Sequence, residues 1–194
     1  MSMKSEQSNQ TKKKIMEVAR YLAIDKGLNN MTIRDICHAA NISIGAFYHH
    51  YSSKQELVNE SFMIYDELLE NNRTKYNLEN PLESLKAILL DQTAFVVSFD
   101  KQLVIEYYKS ILLSMNKQAV SWERSYYRHV LDCTKKAVND GLIKGGYTPE
   151  YVASFFIKFV RGNIINWCLT ESDEIFFQET ESEIDLLLRI FKSQ

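Results

Sequence analysis

The stretch TIRDICHAANISIGAFYHHY, residues 32–51, decides how the chain is read. Thr32 and Asp35 form a capping-box-like T-x-x-D that opens a short helix, in which Ile33, Ile36, Cys37 and Ala40 recur on one side at helical spacing. Asn41 follows, the side chain best suited after glycine to a left-handed turn residue. Ser43 can then cap a second short helix. On it Phe47 and Tyr51, four apart, share one face, while Ile44, Gly45 and Tyr48 share another. Two short helices joined this tightly make a helix–turn–helix. Gly45 is the anomaly, because glycine costs a helix about 1 kcal/mol against alanine. A helix that presses its backbone against a partner has a use for it, since the missing side chain permits close approach.

Outward from this motif the chain stays helical. Only two prolines and six glycines punctuate 194 residues, 45% of which are hydrophobic, enough for a substantial core. Before the motif, Ile15, Val18, Ala19, Leu22 and Ala23 mark a helix over Thr11–Lys26, stopped by Gly27; the polar first ten residues read as a flexible tail. After it, Ser53 and Glu56 suggest a second capping box, opening a long amphipathic helix that runs to about residue 79, a strut of nearly 40 Å at about 1.5 Å per residue. Asn80–Pro81 and Thr148–Pro149 each start another helix. A last one is expected near TESE, residues 180–183. The total is an all-α chain of about nine helices. Its expected division is a tail at 1–10, a helix–turn–helix domain at 11–57, and a second helical domain at 58–194.

Charge and composition narrow the function. Net charge is −2, yet the chain up to residue 54 carries eight Lys/Arg against four Asp/Glu, a net +4, which leaves −6 for the rest. A basic contact module joined to an acidic body fits that asymmetry. No apolar run approaches the roughly 20 residues of a membrane span, nor is there a signal-peptide pattern, so a cytoplasmic protein is expected. Cys37, Cys133 and Cys168 lack C-x-x-C spacing and read as reduced core thiols. No GxSxG, P-loop, GxGxxG or HExxH occurs, so neither catalysis nor a cofactor is expected. Adjacent His49 and His50 point in different directions on a helix, and a metal site there with Cys37 or His38 is disfavoured.

In a helix–turn–helix the second helix enters the major groove of DNA, with contacts concentrated toward its start. Tyr48, His49 and His50 can reach phosphates, and Arg34 is suited to bidentate recognition of guanine. The run TKKKIMEVARYLAIDKGLNNMTIRDICHAANISIGAFYHHYSSKQEL resembles the DNA-binding domain of the TetR family of transcriptional regulators. The resemblance rests on Ile15, Ala19, Gly27, Thr32, Ile36, Ala40, Ile42, Ser43, Gly45, Tyr48, His50, Tyr51, Lys54 and Leu57. It departs in having Asn41 for the usual turn glycine and Cys37 for a usual alanine. It implies DNA contacts by Thr32, Ile33 and Arg34, by Ser43, Ile44, Gly45, Ala46, Tyr48, His49 and His50, and by Lys54 on a phosphate. It also implies a homodimer through the last two helices, a near-palindromic double-stranded operator, and release by a small-molecule effector. Among the aromatics of the body, Phe95, Phe99, Tyr107, Trp122, Tyr126, Phe155 and Phe159 are the candidates for an effector pocket. A binding or scaffold protein of the same fold without gene control is the competing reading, and an enzyme a more distant one.

Overall fold

A computed structural model describes residues 3–113, 118–171 and 175–193. Its helices are α1 (Met3–Lys26), α2 (Ile33–Ala40), α3 (Ile44–His50), α4 (Lys54–Asn71), α5 (Pro81–Val97), α6 (Lys101–Leu113), α7 (Ser125–Asn139), α8 (Pro149–Leu169) and α9 (Phe176–Phe191). Single 3-10 turns occupy Arg73–Lys75 and Gln118–Val120. Among the described residues there is no β-strand, only one isolated antiparallel bridge between Ile143 and Lys192.

The chain forms two compact units, the first of residues 3–62 and 99–113, the second of 63–98, 118–171 and 175–193. In the first, Ile15, Ala19 and Ala23 of α1 are buried, as are Ile36, Cys37 and Ala40 of α2 and Phe47 of α3. Gly27 ends α1 at φ +79°, a conformation that favours glycine, and its N–H returns to the Ala23 carbonyl at 3.1 Å. α6 belongs to this unit, although the sequence places everything beyond residue 57 in the second domain. The physical tie is aromatic. The Phe62 ring stacks on Tyr107 with centroids 4.0 Å apart and leans on Phe99 at 4.6 Å. The Arg20 guanidinium lies over the Phe99 ring at 5.2 Å, and the Ser110 hydroxyl donates to Asn59 at 2.7 Å.

Three expectations need correction. α1 starts at Met3, not Thr11, so the expected flexible tail is helical from that point. Its polar residues need no apolar stripe there, because they extend a helix already anchored by Ile15 and Ala19. α4 has 18 residues and ends at Asn71, about 27 Å long, not the expected 40 Å. The Asn72 side-chain and backbone N–H groups both take the Leu68 carbonyl, at 2.8 and 3.1 Å. This local competition disfavours continuing the helix. Tyr76 is then held back against α5 by its hydroxyl bond to Asp91 at 2.6 Å. Finally, α9 begins at Phe176, one turn before TESE, and Thr180 lies buried within it.

The second unit packs α5 against α7, α8 and α9, α7 against α8, and α8 against α9. Its apolar centre includes Leu85, Ile88, Leu89, Val130, Cys133, Phe156, Val160 and Ile184. α8 opens with Pro149 behind a Thr148 cap whose hydroxyl accepts the Tyr151 N–H at 3.2 Å. A largely buried ion pair joins the C-terminal half of α4 to the start of α7. The Arg124 Nε and Nη2 donate to the two Asp66 oxygens at 3.0 and 3.3 Å, and the Tyr126 N–H adds a third bond at 3.2 Å. The side chains are only 8% and 16% exposed. Removing one partner strands the other in a poorly solvated site. Asp66→Ala is therefore expected to lower the unfolding free energy by about 3–5 kcal/mol in chemical denaturation; a loss below about 1 kcal/mol would show the pair to be effectively solvated.

Candidate nucleic-acid interface

The interface is built from the capped ends of α2 and α3. Thr32, extended at φ −104°, accepts the Asp35 N–H on its hydroxyl at 3.2 Å. The Asp35 carboxylate in return takes the Thr32 N–H and O–H, each at 2.7 Å, and the Lys26 ammonium at 2.9 Å. These bonds, those from Thr32 foremost, hold the Asp35 carboxyl well below its usual range. The expected capping box is thus complete. It has a consequence for Thr32, whose hydroxyl and N–H are both committed to Asp35 and so position α2. Arg34, the second residue of α2, is exposed and makes no hydrogen bond or ion pair among the described residues, while Ile33 is half-buried.

Asn41 adopts φ 52° and ψ 53°, and the Ile42 N–H closes the turn on the Cys37 carbonyl at 2.9 Å. Ser43 then caps α3, its hydroxyl accepting the Ala46 N–H at 3.0 Å. Phe47 and Tyr51 are wholly buried, with ring centroids 5.8 Å apart. The opposite face follows from that anchoring. Ile44 is 45% and Tyr48 53% exposed. Between them, a Cβ built on Gly45 would meet only the Ser43 hydroxyl, at an ordinary 3.8 Å. Nothing among the described residues requires a glycine at this point.

The end of α3 carries two adjacent imidazoles. His49 is exposed and His50 half-buried, their rings edge to face at 5.1 Å. Burial, then the charges of His49 and Lys12, push His50 below the ordinary imidazole value. Ala46 is half-buried and contributes backbone more than side chain. Lys54 departs from its expected role. Its ammonium donates to the carbonyls of Leu28 and Met31 at 2.8 and 3.0 Å, so two of its three N–H groups lace α4 to the α1–α2 turn. The second expected capping box is also altered: Ser53 accepts the Glu56 N–H at 3.1 Å, but the Glu56 carboxylate turns to the Ser52 N–H and hydroxyl, at 2.7 and 2.5 Å.

Residues the sequence reading passed over flank this face. Gln7, Gln10, Thr11 and Lys14 of α1 line a shallow polar groove with His49 and His50. The helical continuation of α1 before Thr11 is what brings Gln7 and Gln10 there, and their polarity concealed it.

The seven candidate pocket aromatics are divided between the two units. Phe99 and Tyr107 pack on Phe62 in the first unit. In the second, Phe95 and Tyr126 lie against Tyr65 at 5.3 and 5.9 Å. Trp122 meets Tyr127 edge-on, Phe155 packs on Phe191, and Phe159 is half-buried. Among the described residues no set of three His, Cys, Asp or Glu is placed to hold a metal ion, and no helix is long and apolar enough to cross a membrane.

Residues 15–61 match the family model of bacterial regulatory proteins, tetR family, a span that covers α2, α3 and the residues behind them. Over 170 residues the chain is 23% identical to the HTH-type transcriptional repressor KstR2 of Mycobacterium tuberculosis, covering 80% of this chain and 78% of that one. Among solved structures, a TetR-family transcriptional regulator from Agrobacterium tumefaciens shares the fold with a TM-score of 0.64 and 18% identity, over 96% of this chain and 100% of that one. RolR in complex with its ligand resorcinol does so with a TM-score of 0.64 and 16% identity, over 98% and 91%. The capped helix–turn–helix, the outward face of α3 and the match over residues 15–61 together show that this segment is a DNA-binding domain of the tetR family of bacterial regulatory proteins.

Proposed function

We propose that the protein binds a near-palindromic operator as a homodimer, represses transcription, and is released when a small molecule enters its second unit. The observation that carries the DNA reading is the face of α3. It combines exposed Ile44 and Tyr48 with a Gly45 that the protein's own packing does not need, and an unpaired Arg34 stands on α2. A backbone patch without a side chain lets α3 descend into a major groove, where Arg34 can meet a guanine edge and Tyr48 a phosphate. Ile33, Ile44 and Ala46 would supply apolar contact, His49 and His50 backbone contact. Thr32, Ser43 and Lys54 act mainly by holding the helices in position.

Pairing is supported by apolar side chains exposed on α8 and α9, namely Ile165, Leu169, Phe177, Leu186 and Ile190. A second copy covering them would set two α3 helices against major grooves about 34 Å apart. For the effector, support comes from the aromatic cluster of Tyr65, Phe95 and Tyr126 and from the buried Gln92 Oε1, which has no hydrogen-bond partner among the described residues. A small aromatic molecule with a donor hydroxyl would suit both. RolR, solved with resorcinol, is a precedent in a neighbour of the same fold. Release requires only that the effector bind one disposition of the units better than the other, and 1–3 kcal/mol of such coupling shifts affinity roughly 5–150-fold.

Two substitutions separate fold from function. Gly45→Ala should raise the unfolding free energy, by up to about 1 kcal/mol, because alanine favours the helix and has room. The same change should weaken binding to a selected duplex by about tenfold or more, measured by gel shift, since about 1.4 kcal/mol of lost contact suffices. Arg34→Ala should relax preference at a single base position by about 1–3 kcal/mol in a panel of operator variants. Undiminished affinity in the first case, or uniform weakening across the panel in the second, would contradict the assigned face.

A further inference from the structure

The groove between α1 and the end of α3 has a composition that selects for anions. Gln7, Thr11 and Lys14 recur at i, i+4 and i+7 along α1, so they share one side, and Gln10 lies one turn before Lys14. His49 and His50 form the other wall. No carboxylate is among the lining residues, and every lining side chain can donate a hydrogen bond. Three other cations of this unit are already engaged. Lys12 pairs with Glu60 at 2.5 Å, Lys26 with Asp35 at 2.9 Å, and Lys54 serves the Leu28 and Met31 carbonyls. Lys14 has no hydrogen bond or ion pair among the described residues, and neither has its neighbour Lys13. After burial, the neighbouring His49 and Lys12 both act to keep a proton off His50.

Resting on the DNA-binding reading above, we propose that this groove holds a backbone phosphodiester of the operator, beside the major groove that α3 enters. The Lys14 ammonium supplies the charge, the Gln7 and Gln10 amides and an imidazole N–H supply hydrogen bonds, and α1 becomes a second point of attachment for each subunit. Such a contact adds affinity and fixes the angle of α3 without reading sequence. It also gives the first turns of α1 a role: they project polar donors where a flexible tail would have to be ordered at an entropic cost.

The test uses the full-length protein and a duplex recovered by selection from a random-sequence pool, with affinity followed by fluorescence anisotropy between 50 and 300 mM KCl. Lys14→Ala should weaken the selected duplex and a scrambled one by the same factor. It should also flatten the log-affinity against log-salt slope by about 0.9 per subunit, the value of one phosphate contact. Lys14→Arg should restore both, and Gln7→Ala with Gln10→Ala should weaken both duplexes while leaving the slope nearly unchanged. All these side chains are exposed, so thermal melting serves as the folding control. Unchanged affinity and slope in Lys14→Ala would overturn the phosphate assignment. So would a changed consensus when the selection is repeated with the double variant, which would make the groove a reader of bases. If the unaltered protein selects no sequence at all, it is the DNA-binding reading that fails, a result distinct from either of these.

Discussion

The burial of Phe47 and Tyr51 is the constraint on which the rest of the interface depends. A seven-residue helix is far too short to persist alone, so α3 takes its existence and its rotation from those two rings. Once both are sealed in the core, the 3.6-residue period leaves no freedom over what lies opposite: Ile44, Gly45 and Tyr48 must face outward. The left-handed Asn41 and the Ser43 cap set where that rotation begins. A shift of one residue in either would present a different face.

Electrostatics then divides the basic residues of the first unit into two kinds. Lys26 and Lys54 stitch the platform together, one through the Asp35 capping carboxylate and the other through loop carbonyls. Their charge is spent on making the recognition surface stiff. Arg34 on α2 and Lys14 on α1 remain exposed, with no hydrogen bond or ion pair among the described residues. A rigid scaffold with a few mobile cations matches a partner whose charge is regularly spaced, because the backbone contact costs only the ordering of those few side chains.

In the second unit the ordering principle is different. Tyr65, Phe95 and Tyr126 bring aromatic surface together from α4, α5 and α7. Asp66 beside them binds Arg124 and the Tyr126 N–H, fixing the register of α4 on α7. The polar lock and the aromatic cluster thus hold α4 and α7 together at adjacent positions, Tyr65 and Asp66 on one helix and Tyr126 on the other. α4 carries that register in its second half, while its first half ends among Phe62, Phe99 and Tyr107.

How much of this was legible beforehand depends on the range of the interactions. The T-x-x-D box, Asn41, the Ser43 cap, the Phe47/Tyr51 face and the exposed Gly45 all follow from neighbours within four residues, and local chemistry suffices to read them. The true ends of α1 and α4 did not, because a polar helix end and an Asn-rich stop compete on terms set by Ile15 behind one and Asp91 beyond the other. Lys54 shows the limit most sharply. Its sequence position marks a basic residue at the mouth of the interface, but carbonyls 23 and 26 residues away claim its donors. The grouping of Phe99 and Tyr107 with Phe62, and the meeting of α1 with His49 and His50, are likewise long-range. Residue type and spacing determine which face a helix buries; only the assembled chain decides which distant partner fills it, since that choice rests on contacts no local pattern encodes.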